Sequence, residues 1–74
     1  MSNGGGMLKV ERLRELRDSQ ALSQDELAQK SGLSRQTIAR IEAGKPAIPK
    51  NVRKIAAALG VAPAALLRAK EGEG

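Results

Sequence analysis

The chain has 74 residues, a formal net charge of +5, and no histidine, cysteine or aromatic residue. That length makes one compact domain, and a domain this short buries only about 60% of the surface its unfolded chain exposes, so its core is small and aliphatic. The missing residue types exclude disulfides and the usual structural zinc sites, and they remove the side chains on which most hydrolase and transferase chemistry depends. No Gly-rich phosphate loop and no paired carboxylates in a plausible pocket are visible either. No enzyme, metal or cofactor is therefore expected.

The longest apolar stretches flank Gly60 and Pro63 and are too short to cross a bilayer, and no secretory signal is recognisable, so a cytoplasmic location without membrane attachment is expected. Strand signals are absent, because the few β-branched residues never alternate over a useful length; the chain reads as all-α. Residues 1–7, Gly-rich and ending on a second methionine, read as a flexible tail or an expression remnant. The domain is expected over residues 8–69, with residues 70–74 disordered.

The first helix is expected over about residues 8–19, turning Leu13 and Leu16 inward. Leu22 then enters the core from the connection. Ser23 and Glu26 form the S-x-x-E pattern of a capping box, which starts a second helix at Gln24 that runs to about Lys30 and buries Leu27. Gly32 is free to take a left-handed conformation in the break that follows, and Ser34 offers a hydroxyl cap to a third helix over about residues 35–43. Ile38 and Ile41 point inward there, and Gly44 ends the helix. The segment between Pro46 and Pro49 reads as a loop, with Asn51 capping a fourth helix that ends near Leu59 and stops at Gly60. Pro63 starts a fifth, carrying Leu66 and Leu67.

Charge is distributed unevenly over these elements. Between residues 30 and 54, Lys30, Arg35, Arg40, Lys45, Lys50, Arg53 and Lys54 face a single carboxylate, Glu42. A local excess of this kind is the footprint of a polyanion-binding face, and also of an ordinary solvated basic surface. Its place is what favours the first reading: two short helices joined by a three-residue turn with a central glycine let the second helix project into a DNA major groove.

The stretch over residues 23–45, SQDELAQKSGLSRQTIARIEAGK, strongly resembles the Cro/repressor-type helix-turn-helix family, often called the XRE family. The likeness runs over about residues 13–67. Leu27, Ala28, Gly32, Leu33, Ile38 and Ile41 match the family's apolar and small positions without a gap, and the ALGV of residues 58–61 matches its usual fourth-helix ending. The resemblance implies a compact five-helix, lambda-repressor-like domain with its helix-turn-helix at helices two and three. It also implies a sequence-specific double-stranded DNA-binding transcriptional regulator of the bacterial or phage nucleoid, and in particular a repressor.

The site residues it implies fall into two sets. Ser34, Arg35, Gln36 and Thr37 occupy the amino-terminal turn that reaches base edges, with Arg40 one turn further on to extend the readout or clamp a phosphate. Arg35 suits guanine and Gln36 adenine, while Thr37 suits a thymine methyl or a phosphate. Gln24, Lys45, Lys50 and Asn51 match positions that hold the backbone phosphates, Gln24 alternatively helping to position the recognition helix. Gly44 shares the turn with Lys45, and Arg53 and Lys54 are weaker candidates. Arg17 and Glu42 match an internal salt bridge between the first and third helices.

Three departures from the family pattern stand out. Ala43 replaces a polar or basic residue, Ala21 replaces a glycine after the first helix, and Ala47 and Ile48 present little to a phosphate. One recognition helix reads too few base pairs for useful specificity, so a homodimer is expected, at least on DNA, with half-sites about one helical turn apart. Val61, Leu66 and Leu67 either serve that dimer or close the monomer core. Affinity is expected to fall steeply with salt and, in the absence of histidine, to change little between about pH 6 and 8. The competing readings are an antitoxin or adaptor-type module that holds a protein partner through its fifth helix and also binds DNA, and a nonspecific nucleic-acid binder.

Overall fold

A computed structural model describes residues 6–67. Of the two expected tails, the described residues include only Gly6 and Met7; residues 1–5 and 70–74 lie outside them. Five helices succeed one another: α1 (Leu13–Ser19), α2 (Gln24–Ser31), α3 (Arg35–Glu42), α4 (Pro49–Leu59) and α5 (Pro63–Leu67). Among the described residues there is no strand beyond one isolated antiparallel bridge, Leu8 to Ala47. None of these helices is long and apolar enough to cross a membrane.

Each helix drives at least one aliphatic side chain fully out of water: Leu13 from α1, Leu27 from α2, Ile38 from α3, Val52 and Ile55 from α4, and Leu66 from α5. Because one small core joins all five, helix orientation depends on every one of these side chains, and truncating any of them to alanine costs roughly 2–5 kcal/mol. Leu66 belongs to this core, with Val61 and Leu67 packed partly against it. Leu22 and Leu33 pack on its edge from the connections.

The boundaries of α2 and α3 follow from capping. Ser23 Oγ accepts the Glu26 N–H at 3.0 Å while Glu26 Oε1 accepts the Ser23 N–H at 2.8 Å, a complete capping box. Gly32 ends α2 at φ 77°, where a Cβ is disfavoured. Ser34 Oγ then accepts the Thr37 N–H at 3.0 Å to open α3. The tight join between the two helices is thus written into Ser23, Gly32 and Ser34.

Two expected boundaries need correction. The first helix begins at Leu13, not near residue 8, because Leu8 is extended and exchanges two backbone hydrogen bonds of 2.7 Å with Ala47. Arg12 reinforces the break: its N–H bonds the Leu66 carbonyl at 3.1 Å, tying the start of α1 to α5. The fourth helix begins at Pro49, with Ile48 as its cap, so Asn51 lies inside the first turn and caps nothing. A proline has no N–H to satisfy and its φ is already helical, which makes it a good first residue whatever precedes it.

Ala21 takes the left-handed conformation at φ 57°. The strain costs an alanine roughly 1 kcal/mol, partly offset by the greater freedom that glycine would give the unfolded chain. Ala21→Gly is therefore expected to stabilise the domain by up to about 1 kcal/mol, read as a rise of a few degrees in a thermal melt. A fall would show that the Ala21 methyl packs better than its half-turn of strain suggests.

Candidate nucleic-acid interface

Ile38 and Ile41 anchor the inner side of α3, at 0% and 4% exposure, and this fixes what the outer side presents. Gln36, Arg40 and Ala43 follow one another along the opposite stripe, all exposed, with the half-buried Ala39 beside them. Arg35 and Ser34 are exposed at the amino-terminal end, and Thr37 is half-buried on the edge. The small residues at 39 and 43 leave Gln36 and Arg40 as the projections on this stripe. No carboxylate lies along it.

Three of these side chains already have partners. Arg35 Nε lies 3.7 Å from Asp25 Oδ1, but both side chains are about two-thirds exposed, so the pair is weak and is released at little cost. Ser34 Oγ and Thr37 Oγ1 are 2.9 Å apart and share a hydrogen. Ser34 is therefore engaged twice within its own helix turn, as cap and as hydroxyl partner, which gives it a structural duty beside any contact with a base.

Beyond α3 the chain turns through Gly44, at φ 108°, and the Lys45 N–H bonds back to the Arg40 carbonyl at 3.1 Å. That bond holds exposed Lys45 just past the end of the helix. Thr37, Arg40, Lys45 and half-buried Asn51 line one open cavity of about 200 Å³. Lys50 is exposed in the first turn of α4 but outside this group. Ile41, Pro46, Ala47, Ile48 and Met7 share the lining, so Ile48, expected to offer little to a phosphate, and Met7, expected in the tail, both stand beside these residues. Met7 gave no local signal of this place, since the Leu8 to Ala47 bridge brings it to the end of α3 from across the chain.

Gln24 is placed differently from a side chain reaching outward. Its Nε2 donates to Glu42 Oε1 at 3.1 Å, linking α2 to α3. Glu42 also meets Arg17 of α1 through two bonds, Nε to Oε2 at 2.6 Å and Nη2 to Oε1 at 3.0 Å. Arg17 Nη1 donates further to the Leu22 carbonyl at 2.7 Å. With Arg17 and Glu42 side chains only 12% and 6% exposed, this cluster joins α1, α2 and α3 from inside. Burial alone would push the Glu42 carboxyl up, but hydrogen bonds from Arg17 and Gln24 and the charges of Arg17 and Arg14 outweigh it and hold it below its ordinary value of 4.5. Glu42 thus stays ionised and neutralised by Arg17, and adds no bare negative charge to the cationic face.

The comparisons with known proteins agree with this geometry. Residues 13–66 match the helix-turn-helix family. No curated protein matches the chain. Among solved structures, the chain is similar to the restriction-modification controller protein C.AhdI from Aeromonas hydrophila, at 42% identity and a TM-score of 0.73, covering 76% of this chain and 86% of that one. It is also similar to the hypothetical transcription factor NHTF from Neisseria, at 38% identity and a TM-score of 0.69, over 74% of this chain and 63% of that one, slightly under two thirds of its length. With its capped α2, glycine turn and projecting α3, the chain belongs to the Cro/repressor-type helix-turn-helix family of DNA-binding transcriptional regulators.

Proposed function

We propose that this regulator is a repressor that binds double-stranded DNA as two copies on a two-fold related site, each copy laying α3 in the major groove. The outer stripe of α3 carries the reading: Gln36 and Arg40 project between small residues, Arg35 stands at the amino-terminal end, and no carboxylate interrupts them. Arg35, Gln36 and Arg40 read base edges, with Thr37 and Ser34 at the margin. Lys45, Lys50 and Asn51 hold phosphates and set the register, and Gln24, bonded to Glu42, serves to position α3. Occupancy of a promoter site is enough to block transcription, so repression asks nothing of the chain beyond tight and specific binding. Similarity to a controller protein and to a transcription factor supports a regulatory role over an adaptor role.

Selection from a random pool of duplexes tests the proposal. The expected product is an inverted repeat with half-sites one helical turn, about 10 base pairs, apart. Tight, salt-sensitive binding without enrichment would identify a nonspecific binder. No binding at all would shift the reading to a protein-interaction module.

A further inference from the structure

The geometry points to the cavity at the end of α3 as a cradle for one deoxyribose–phosphate unit of the DNA backbone, in which Met7 and Ile48 contact the sugar. The inference rests on the DNA-binding reading above and adds to it an apolar contact that no cation supplies.

Met7 and Ile48 are the exposed large hydrophobic side chains among the described residues, at 56% and 41%, and both line this one cavity. Scattered apolar residues on a surface need no explanation, but two that converge on the same opening, in a chain with so few large side chains, do. The same lining carries cations. Arg40 and Lys45 belong to it, Thr37 and Asn51 add a hydroxyl and an amide, and no carboxylate takes part. Apolar side chains beside cationic and hydrogen-bonding ones complement a strand backbone, in which each sugar is flanked by phosphates. An acidic peptide would satisfy the cations but has no reason to present an apolar ring between its charges.

The segments that carry Met7 and Ile48 are held in place by backbone hydrogen bonds. Leu8 and Ala47 exchange two bonds of 2.7 Å, which fixes Met7 one residue from the bridge and Ile48 one residue beyond it. Ala47, between the two walls, is 3% exposed. At about 200 Å³ the space admits a furanose ring. Ile48, at 41% exposure, offers nothing to a phosphate but suits the ring between two of them.

The test measures duplex affinity as a function of salt for the full chain, on the selected site and on a random duplex. The variants are Met7→Ala with Ile48→Ala, and Lys45→Ala. Alanine is no better a helix cap than isoleucine, so the change at residue 48 leaves the start of α4 as it is. The apolar double variant is expected to bind both duplexes about five- to tenfold more weakly, through lost apolar contact, with the salt slope unchanged because no cation is lost. Lys45→Ala should reduce the slope by about one. Met7→Leu should keep the wild-type affinity. If the double variant melts several degrees lower, Met7→Ala alone decides, with an expected loss of about two- to threefold at a side chain already more than half exposed. Unchanged affinity in the apolar variants, alongside the expected effect of Lys45→Ala, overturns the cradle and leaves DNA binding intact. Loss of self-association by the double variant overturns it too, by showing that a second copy covers the patch. A wild-type chain that binds no duplex removes both readings.

Discussion

Glu42→Ala is expected to destabilise the domain by about 3 kcal/mol or more, because it leaves the guanidinium of Arg17 buried with only the exposed carboxylate of Asp18, at 3.3 Å, to offset its charge. In a domain of this size each kcal/mol lowers the melting temperature by roughly 4–8 °C, so the loss should exceed about 12 °C. The side chains are 12% and 6% exposed, the two bonds measure 2.6 and 3.0 Å, and the Gln24 amide loses its acceptor in the same substitution. Replacing both charges, as Arg17→Met with Glu42→Leu, should recover part of the stability, since removing a whole buried pair costs far less than removing half of it. Recovery stays incomplete because Arg17 also serves the Leu22 carbonyl and Gln24 remains unpaired. A loss under 1 kcal/mol for Glu42→Ala would show that water reaches the cluster.

The sign of the pH dependence follows from the same carboxylate. Its pKa in the folded chain lies below the ordinary 4.5, so the stability it contributes is fully present above that value and is lost as pH falls through the depressed one. Thermal melts of the wild type should therefore weaken on the acid side of about 4.5, and Glu42→Gln should lack this component while starting from a lower melting temperature. Parallel acid profiles for the two proteins would mean that the pair does not couple folding to protonation. Because Glu42 sits on α3, its loss should also loosen the angle at which the outer stripe meets DNA.

Most of the fold was legible because its signals are local. Ser23 with Glu26, Gly32, Ser34 and Gly60 each act within one helical turn, and the aliphatic spacing of α2 to α4 does not depend on partners far along the chain. Where the reading failed, the cause was a distant contact or a competing local signal. Leu8 looked like the continuation of the first helix, and only pairing with Ala47 explains why it is extended. Asn51 looked like the better cap, yet Pro49 two residues earlier is the stronger start, by the same reasoning that had placed Pro63 at the head of α5. The projecting residues of α3 could be named from periodicity and family likeness. The inward bond of Gln24 and the convergence of Met7 and Ile48 could not, since both depend on how separate segments pack.

Gln36→Ala is expected to weaken binding to the selected site by about 1–3 kcal/mol, roughly five- to 150-fold, while leaving affinity for random duplex and the salt slope almost unchanged. The expectation rests on position: Gln36 is exposed on the outer stripe of α3, where its amide can pair a donor and an acceptor with one base edge. Arg35→Ala should cost a similar amount on the selected site. Arg35 differs in having to leave Asp25, and Asp25→Asn should raise duplex affinity slightly by freeing the guanidinium and removing a nearby negative charge. Repeating the selection with each variant locates the readout, because a lost base contact relaxes preference at one position of each half-site and a lost phosphate contact relaxes none. If Arg35→Ala instead weakens selected and random duplexes equally and lowers the salt slope by about one, Arg35 is a phosphate clamp. Base recognition would then fall to Gln36 and Arg40, the charged reader one turn further along the same stripe.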